Sequence, residues 1–551
     1  MIFFAQYSQV TPGRRTFTGN DVVGLLWDNG FPALAHSNLR IIPPRLSLSA
    51  SGTCETMKIT ADSSLLYTAA ETYAVDAAAI ASGIPSIQLM KRAGRAAFEL
   101  VTERFADATL VSIYTGGGNN GGDGYVLAGL LAQRLYPVQV IALVAPDQLA
   151  NEVRQAYEFA VQEGVTVSPV GTAPTEGLIV DAMIGIGLRG AVRESYATAI
   201  EQINASGLPV FALDIPSGLH ADTGAIAGPV VQAQVTLTYI GIKQGLLTGR
   251  GPAVCGELVL ANLNVPEASY AVVNPSTERL HLNALLPVLA PRAADAHKGD
   301  FGHVMVIGGD TGYGGAALMA AEAAARTGAG LVSIATRPEH IPAILARRPE
   351  IMACGVVSGQ ELEPLLARPT VLVVGPGLGR SPWSEQMLQQ AIKSGLPLVL
   401  DADALNILAG GRVVPASVKR DNWLLTPHPA EAARLLGQTT AEVQADRFAA
   451  VRAIQSKYNA SVILKGAGSL VASAGTSVGV VTDGNPGMAT GGMGDVLSGI
   501  LGGLIAQGLS LPDSARLGAV VHACVADLAA DEHGQRSLLA TDLIPYLGEL
   551  L

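Results

Sequence analysis

Three short loops in the first half of the chain combine glycine with acidic or amide side chains. The loop GNNGGDG carries Asn119, Asn120 and Asp123, while DAMIGIGLRG and DIPSG begin with Asp181 and Asp214. Each loop follows a short predicted strand, and ligands of open α/β sheets bind beyond the carboxyl ends of strands. We therefore expect the three loops to converge on one crevice. Their oxygens can coordinate a cation there or orient a phosphate-bearing ligand at a helix N-terminus.

Each of these loops, taken alone, has a simpler structural explanation. Gly116, Gly118 and Gly121 satisfy the dinucleotide-binding spacing G-x-G-x-x-G, but position 141, where a ribose-binding acid is expected, is Ile. A tight strand-to-helix turn needs glycine for its backbone, and a lone Asp is more often a turn former than a catalyst. The repetition of polar loops at three strand ends favours a binding site.

The second half contains one stretch with a stronger chemical signal, TDGNPGMATGGMGDVLSGILGGL at residues 482–504. Its GGMGD segment ends in Asp495 at the start of an apolar helix. Backbone N–H groups of Gly492, Met493 and Gly494, together with the helix dipole, can stabilise a phosphoryl group. Asp495 is then placed to deprotonate a hydroxyl or to position a metal-bound phosphate. A capped helix start explains a lone GxGD, but it does not explain the preceding NPGMATGG.

Other loops of the second half fit a nucleotide site. The segment LKGAGSLVAS, from Leu464, joins a strand to a Lys-Gly-rich loop that suits phosphates, and the absence of GxxxxGK[ST] excludes a P-loop NTPase. Further strand-end loops are GPGLG at Gly375–Gly379, LDADALNIL from Leu400 and LLTPHPAEAARLLG from Leu424. His428, in the last of these, is by itself more often an ordinary turn histidine.

The elements that must position these loops follow from the alternation of β-branched runs with helical patterns. This alternation argues for parallel sheets with helices on both faces. We predict an α/β protein with two doubly wound domains in series. The predicted strands are Thr109–Tyr114, Pro137–Val144, Leu178–Ala182, Val210–Asp214, Val235–Tyr239, His303–Ile307, Gly330–Thr336, Thr370–Val374, Pro397–Asp401, Trp423–Thr426 and Ser461–Lys465.

Domain boundaries follow from changes in this pattern. Residues 1–56 show no sustained period, so we interpret them as a poorly ordered extension or a misannotated start. MKITADSSLLYTAAETYAVDAAAIASG, from Met57, has apolar residues at helical spacing and opens a first domain at 57–270. Several prolines indicate a linker at 271–294, and the second domain takes residues 295–551.

Charge and composition exclude several classes of function. The formal net charge is −11 without a long basic run, which argues against nucleic-acid binding. No apolar run reaches the roughly 20 residues needed to span a bilayer. The four cysteines lie far apart and form no CxxC pair, so we expect neither a disulfide framework nor a zinc site. Their number and spacing also favour a reducing compartment, and we expect a cytoplasmic location. We expect the partners to be small-molecule substrates. The sequence does not decide between a monomer and a homo-oligomer.

Taken together, the loops resemble two known families. GNNGGDG, DAMIGIGLRG, DIPSG and the downstream IKQGLLTGRG resemble the NAD(P)H-hydrate epimerases over nearly all of residues 57–270. The stretch 482–504, with KGDFGHVMVIGGDTGYGGAALMAAEAAARTGAGLV from Lys298, resembles the ribokinase-like NAD(P)H-hydrate dehydratases over about residues 290–551. The resemblance implies a bifunctional repair enzyme with a Rossmann-like first domain and a ribokinase-like second domain.

The first resemblance implies an epimerase for the two C6 epimers of hydrated NADH and NADPH. Asp214 would be the general base or acid that inverts C6 of the ring, and K⁺ would be bound by Asn120, Asp181 and Ser217. The residues implied to hold the hydrate are Asn119, Asn120, Gly121, Gly122, Asp123, Gly185, Ile186, Gly187, Leu188, Arg189, Gly190 and Asp214.

The second resemblance implies phosphoryl transfer that drives elimination. Asp495 would activate the C6 hydroxyl of the (S)-hydrate to attack ADP or ATP with Mg²⁺, and departure of phosphate would restore the ring double bond. Bacterial members usually convert ADP to AMP. The residues implied to contact the hydrate are Ala317, Gly377, His428 and Asp495, and those implied to contact the nucleotide are Lys465, Gly466, Ala467, Gly468, Ser469 and Gly494. Members usually read PHPGE, so Ala430 is a departure from the pattern.

Two other functions account for parts of the sequence. A ribokinase-like small-molecule kinase fused to a nucleotide-binding module predicts a stable phosphorylated product, but such kinases do not carry a GNNGGDG domain. A first domain that only binds metabolites predicts that Asp214→Ala leaves all activity intact. A repair enzyme accounts for both halves, because hydration gives two epimers and the dehydratase accepts one.

Overall fold

A computed structural model describes residues 39–40 and 64–551 of the chain, except 416–417. Apart from the strand at 39–40, the predicted N-terminal extension 1–56 lies outside the described residues. The strands are, in chain order, β1 (Leu39–Arg40), β2 (Leu65–Leu66), β3 (Val111–Thr115), β4 (Val138–Ala142), β5 (Thr166–Pro169), β6 (Leu178–Ala182), β7 (Val210–Leu213), β8 (Val235–Tyr239), β9 (Glu257–Ala261), β10 (Thr277–Leu280), β11 (His303–Ile307), β12 (Leu331–Thr336), β13 (Met352–Gly355), β14 (Val371–Val374), β15 (Leu398–Leu400), β16 (Trp423–Leu425), β17 (Ser461–Leu464), β18 (Ser469–Ala472) and β19 (Val478–Val481).

Helices connect most of these strands. They are α1 (Ala69–Ala81), α2 (Ser86–Arg104), α3 (Asn119–Gln133), α4 (Asn151–Gln162), α5 (Glu194–Ala205), α6 (Gly251–Val254), α7 (Glu267–Tyr270), α8 (Leu282–Leu285), α9 (Gly314–Thr327), α10 (Ile341–Arg347), α11 (Gly359–Leu362), α12 (Pro382–Lys393), α13 (Ala402–Ala409), α14 (Pro429–Leu436), α15 (Thr440–Ala445), α16 (Arg447–Tyr458), α17 (Met493–Ala506), α18 (Leu511–His533) and α19 (Leu547–Leu550). Among the described residues, no helix combines the length and apolar character needed to cross a membrane.

The first domain is built on a parallel sheet with the spatial order β1-β9-β8-β7-β6-β3-β4-β5. The chain runs outward from β3 in one direction through β4 and β5, and in the other direction from β6 to β9. This reversal lies between β3 and β6, where an open α/β sheet forms its ligand crevice. The loops after β3, β6 and β7 are the three that the sequence singles out.

The second domain is built on a larger sheet with the order β13-β12-β11-β14-β15-β16-β17-β18-β19-β10-β2. Neighbouring strands from β13 to β17 are parallel, whereas β18 is antiparallel to both β17 and β19. The parallel part carries the strand-end loops that the sequence predicts. Two α/β domains with largely parallel sheets confirm the predicted fold class.

The segment 271–294, which the sequence predicts as a linker, contributes a strand to the second sheet. Strand β10 pairs in parallel with β19, and β2, from the start of the first domain, pairs antiparallel with β10. The linker interpretation misses this strand because its sequence, TERL, is short and polar and its partner lies about two hundred residues further along the chain. The described residues of both domains belong to one compact unit.

The helix predicted from Met57 begins only at Ala69, and Leu65–Leu66 within the predicted stretch form strand β2 instead. Thr68 caps the helix, because the Thr68 side chain accepts from the Glu71 N–H while the Glu71 carboxylate accepts from the Thr68 N–H. Residues 57–63 of that pattern lie outside the described residues. The predicted strands Leu178–Ala182, Val235–Tyr239 and His303–Ile307 match the structure to the residue.

Helix α17 is held close to the sheet and to α9 by its glycines. A Cβ on Gly499 would lie 2.1 Å from the Ala320 carbonyl oxygen, and one on Gly502 would lie 2.6 Å from Val373 on β14. Larger side chains at these positions would push the helix outward. The close approach brings the start of α17, with Asp495, to the carboxyl ends of the central strands.

Candidate active sites

A cavity of about 700 Å³ opens at the carboxyl ends of β3, β6 and β7 in the first domain. It is lined by Asn119, Asn120, Asp123 and Asp214 and by the run from Gly185 to Arg189, as well as by Tyr73, Asp76, Tyr239 and Lys243. The three predicted loops therefore meet in one crevice. Gly121, Gly122 and Gly190 do not line it.

Asp214 occupies a backbone conformation that is uncommon for a residue with a side chain. Its φ is +63°, and its N–H donates to the Leu237 carbonyl over 2.7 Å directly after β7. The carboxylate forms an ion pair with the ammonium of Lys243, which is fully buried. Lys243 also donates to Thr238 Oγ1 at 3.0 Å and to the Tyr239 carbonyl at 2.9 Å. Such strain is characteristic of functional positions, and here it fixes the carboxylate toward the cavity.

Asp123 is the second carboxyl group of the cavity, and its surroundings differ from those of Asp214. Burial, followed by the charges of Asp214 and Asp76, raises the pKa of Asp123 well above its ordinary range, while Lys243 opposes the rise. Burial and the charges of Asp123 and Asp214 raise the pKa of Tyr239 in the same way. The cavity thus holds one carboxyl group whose pKa is raised by burial and one that is paired with a cation.

The residues implied to bind K⁺ include an amide with no bonding partner. Neither the Oδ1 nor the Nδ2 of the buried Asn120 is hydrogen-bonded within the described residues. Asp181 is fully buried and accepts from the N–H of Met183 at 3.1 Å and from the N–H and Oγ of Ser217 at 2.7 and 2.6 Å. Burial raises the pKa of Asp181 to about 6, against the effect of these hydrogen bonds.

A cation suits this set of oxygens. An unpaired buried amide oxygen is costly unless a ligand satisfies it, and a positive charge would favour ionised Asp181. Gly185 lies between Asn120 and the carboxylate of Asp214, since a Cβ there would be 3.3 Å from Asn120 Cβ and 3.1 Å from Asp214 Oδ2. Amide, hydroxyl and carboxylate oxygens are ligands for a hard cation. The described residues contain no group of three or more His, Cys, Asp or Glu that could hold a metal ion.

In the second domain, the start of α17 meets the loop after β17. A Cβ on Gly494 would lie 3.1 Å from Lys465 Nζ and 3.2 Å from Asp401 Oδ2. Gly492 precedes the helix with φ +95°, a conformation that favours glycine. The structure therefore brings together Lys465, Gly494 and Asp495, as the sequence predicts.

Asp401 is the buried centre of this second site. It accepts from Lys465 Nζ and Thr426 Oγ1 at 2.7 Å each and from Ser498 Oγ at 3.0 Å. Burial acts to raise the pKa of Asp401, but the charge of Lys465 and these hydrogen bonds outweigh it and hold the pKa below the ordinary value. The charges of Asp401 and Glu431 likewise raise the pKa of Lys465 despite burial. The sequence indicates the Asp401 loop but not this role.

Asp495 lies at the edge of the same charge cluster. Burial and the negative charge of Asp401 raise the pKa of Asp495 to about 7, although Lys465 opposes the rise. A carboxyl group with this pKa can accept and release a proton near neutral pH, as a general base must.

His428 and Ala430 begin helix α14. His428 Nδ1 accepts from the Ala430 N–H at 3.1 Å, and its Nε2 lies 3.3 Å from Glu431 Oε1. Burial and the charges of Lys465 and Arg434 lower the pKa of His428, and burial raises that of Glu431 to about 7. Ala430 lies within the regular helix and does not have a positive φ, so the usual glycine is not needed here.

The other two residues that the resemblance implies to contact the hydrate, Gly377 and Ala317, lie near the start of α9. Gly377 has φ +59°, and a Cβ there would be 2.4 Å from the Tyr313 carbonyl oxygen. The Gly377 carbonyl accepts from the Asp310 N–H at 2.7 Å. Ala317 is fully buried in α9, so its contact with the hydrate stays a prediction.

Residues 465–469, which the sequence predicts to contact the nucleotide, lead from β17 into β18, and we call them the nucleotide loop for that prediction. Gly466 and Gly468 have φ values of +140° and +60°, and the Gly466 N–H donates to Ser469 Oγ at 3.2 Å. Two glycines with positive φ, separated by Ala467, make a tight turn whose backbone is partly exposed, which suits close approach to a phosphate.

Comparison with known proteins covers both domains. A family model described as YjeF-related protein N-terminus matches residues 86–245, and one described as NAD(P)H-hydrate dehydratase matches residues 304–548. A ribokinase-like superfamily protein from Enterococcus faecalis is 28% identical, with a TM-score of 0.46 over 50% of this chain and 96% of that chain. The ADP/ATP-dependent NAD(P)H-hydrate dehydratase from Bacillus subtilis, co-crystallised with ATP and Mg²⁺, is 27% identical, with a TM-score of 0.43 over 49% of this chain and 95% of that chain.

A relative named as a bifunctional repair enzyme is matched by this chain over nearly its whole length. The bifunctional NAD(P)H-hydrate repair enzyme Nnr of Coxiella burnetii is 47% identical over 475 residues, which are 86% of this chain and 96% of the relative. Because the similarity covers both halves, it supports the repair enzyme over the small-molecule kinase. The two-domain resemblance is confirmed, and the chain belongs to the family of bifunctional NAD(P)H-hydrate repair enzymes.

Proposed function

We propose that the first domain interconverts the C6 epimers of NADHX and NADPHX and that the second domain dehydrates the (S)-epimer with ADP or ATP. The observation that supports this best is the arrangement of two acids, Asp214 and Asp495, each at the meeting point of the loops that the sequence singles out. The wide spacing of the cysteines and the acidic charge support a cytoplasmic enzyme with small-molecule substrates.

In the first domain, the hydrate carries a hydroxyl on C6 next to the ring nitrogen. Protonation of that hydroxyl by Asp123 lets water leave and gives a cation in which C6 is double-bonded to nitrogen. Water then adds to the opposite face of C6, and Asp214 takes its proton. One water leaves and one is added, so the net result is inversion at C6. A carboxyl group whose burial favours the protonated form and one that is paired with a lysine are suited to these two roles.

K⁺ is the cofactor that the resemblance implies here; of its three implied ligands, Asn120 lines the cavity, whereas Asp181 and Ser217 are fully buried and do not line it. Asn120, Asp181 and Ser217 would hold the ion, and it would supply positive charge for an anionic phosphate of the hydrate. The unpaired oxygen of Asn120 is the support for this assignment.

In the second domain, Asp495 takes the proton from the C6 hydroxyl of the (S)-hydrate, and the oxygen attacks the terminal phosphoryl group of ADP. AMP is the leaving group of this attack. ADP would bind beforehand as its Mg²⁺ complex. Lys465 and the N–H groups at the start of α17 offset the charge on the transferring group. Phosphate then departs from C6 as C5 loses a proton, which restores the ring double bond.

The test is absorbance at 340 nm after the protein is added to a mixture of NADPH hydrate epimers with K⁺ and Mg²⁺, with ADP and ATP in separate cuvettes. Full nucleotide-dependent recovery of NADPH supports both activities. Recovery that stops when one epimer is exhausted contradicts the epimerase assignment. A stable phosphorylated product without recovery contradicts the dehydratase and supports a kinase.

A further inference from the structure

The nucleotide loop of the second domain is hydrogen-bonded to residues of the first domain. Thr248 Oγ1 lies 2.8 Å from the carbonyl oxygen of Gly468 and 3.3 Å from that of Ala467. The Gly249 N–H donates to the Ala467 carbonyl over 3.2 Å. Two consecutive residues of the first domain therefore bind the main chain of this loop.

The Thr248 hydroxyl has a bonding partner on each side. It donates toward the loop carbonyls and accepts from Nε of Arg447 at 3.1 Å. Arg447 Nη2 lies 3.3 Å from each of the carbonyl oxygens of Leu464 and Lys465. Thr248 is fully buried and Arg447 is 1% exposed, so the bond between these two side chains and the bond of Arg447 to Leu464 are shielded from water. Arg447 and Thr248 thus clamp the backbone of the loop and of the strand end before it.

The contact is too close to admit a side chain on the loop. A Cβ on Gly468 would lie 1.9 Å from the Leu247 carbonyl oxygen and 2.7 Å from Thr248 Cα. The first-domain segment is itself anchored to the second sheet, because Thr277 on β10 donates to Gln244 Oε1 over 2.8 Å. The same segment begins with Lys243, the partner of Asp214.

We propose that Thr248 of the first domain is a positioning residue for the nucleotide co-substrate of the second domain. Its hydroxyl fixes the carbonyls of Ala467 and Gly468, and so holds the nucleotide loop in the conformation that binds ADP. A loop that is already ordered loses less conformational freedom when its ligand binds. The inference rests on the proposed function, in which this loop contacts the nucleotide.

The test compares Thr248→Val with Thr248→Ser and with Thr236→Val as a matched control. Thr236 is also fully buried in the first domain, and its hydroxyl donates to the Cys255 carbonyl at 2.7 Å, away from the loop. Thr248→Val removes the hydroxyl that donates to the Gly468 and Ala467 carbonyls, and we expect about a tenfold rise in KM for ADP with kcat within about twofold. Thr248→Ser should restore KM to within about threefold, because it keeps the hydroxyl.

An equal KM for ADP in Thr248→Val and Thr236→Val would overturn the inference. Failure of the proposed function has a different signature, because Lys465→Met would then also leave the KM for ADP unchanged. If Thr248→Val does not fold, hydrogen–deuterium exchange of the unchanged full chain decides. ADP should slow exchange of the peptide that carries the Gly249 amide together with the nucleotide loop. Protection of the loop without protection of Gly249 contradicts a positioning role.

Discussion

Lys465 donates a hydrogen bond to Asp401 over 2.7 Å, and Gly494 is close enough to both that an added Cβ would touch each of them. The two charged residues are separated by 64 positions and follow different strands of the second sheet. Their pairing keeps a cation beside the start of α17. The negative charge of Asp401 raises the pKa of Asp495, although Lys465 opposes this rise. The reactivity of the second site therefore depends on a buried ion pair as well as on its glycine-rich motif.

Asp495→Asn should abolish dehydration while sparing epimerisation. The amide cannot take the C6 hydroxyl proton, and loss of a general base costs about 10²–10⁴ in rate. The recovery of NADPH absorbance at 340 nm measures dehydration, and chromatographic separation of the two epimers measures epimerisation in the same sample. The reciprocal variant Asp214→Asn should dehydrate only the (S)-epimer initially present. Loss of both activities in either variant would contradict two independent sites.

The pH dependence of dehydration should report the raised pKa of Asp495. A base must be ionised, so kcat/KM should fall about tenfold per unit as pH drops below about 7, the pKa to which burial and Asp401 raise Asp495. A dehydration rate that is flat between pH 5 and pH 7, with the same substrate and nucleotide, would exclude this role.

The same group should make stability depend on pH. The pKa of Asp495 is higher in the folded protein than its ordinary 3.8, so the folded state holds the proton longer than the unfolded state. Its contribution to stability is greatest below about pH 4 and is lost as pH rises toward 7, by at most about 1.4 kcal/mol per unit. Asp495→Asn lacks this loss. The free energy of unfolding of the variant, relative to that of the unchanged protein, should therefore grow from about pH 4 to about pH 7 and stay constant above pH 7. Denaturant titrations at several pH values would show this difference.

Lys243→Met should destabilise the first domain as well as inactivate it. The substitution leaves the Asp214 carboxylate without its buried partner, which typically costs about 3–5 kcal/mol, and epimerisation should fall at least about a hundredfold. The double variant Lys243→Met/Asp214→Asn removes both charges and should regain much of the free energy of unfolding without regaining activity. A double variant as unstable as the single one would mean that lost packing, rather than an unpaired charge, causes the damage.

Asn120→Ala should weaken the dependence of epimerisation on K⁺. Removal of the unpaired amide oxygen takes away one ligand, so the K⁺ concentration for half-maximal activity should rise about tenfold. Asn119→Ala, at the neighbouring position in the loop, should leave that concentration unchanged whatever it does to hydrate binding. Epimerisation at full rate in a buffer with tetramethylammonium as its cation would contradict the K⁺ assignment.

Gly468→Ala should damage nucleotide use far more than Gly475→Ala does. Both glycines have positive φ, at +60° and +75°, but only Gly468 lies against the backbone of the first domain, whereas an added Cβ at Gly475 meets open space. The conformational cost alone is about 1–2 kcal/mol at each site. Thermal melts and the KM for ADP would separate the two contributions, and equal effects of both variants would contradict the tight contact.

The sequence by itself determined the central strands of both sheets and the position of most site loops, whereas the strands β1, β2, β5, β9, β10, β13, β18 and β19 were not predicted. Periodicity predicted strands such as Leu178–Ala182 to the residue, and the loops with Asn120, Asp181 and Asp214 were placed at one sheet edge in advance. This succeeded because strand propensity is local, and because the carboxyl ends of neighbouring parallel strands necessarily meet at one edge.

Only the tertiary structure decided the partners of the charged groups and the edges of the second sheet. The pairings of Lys243 with Asp214, of Lys465 with Asp401 and of Thr248 with the nucleotide loop join residues that are distant in sequence. Strand β10 was predicted as part of a linker because its four residues carry little pattern until β19 lies beside them. Which side chains share a buried volume depends on how the strands are ordered and packed, and local sequence patterns do not encode that order.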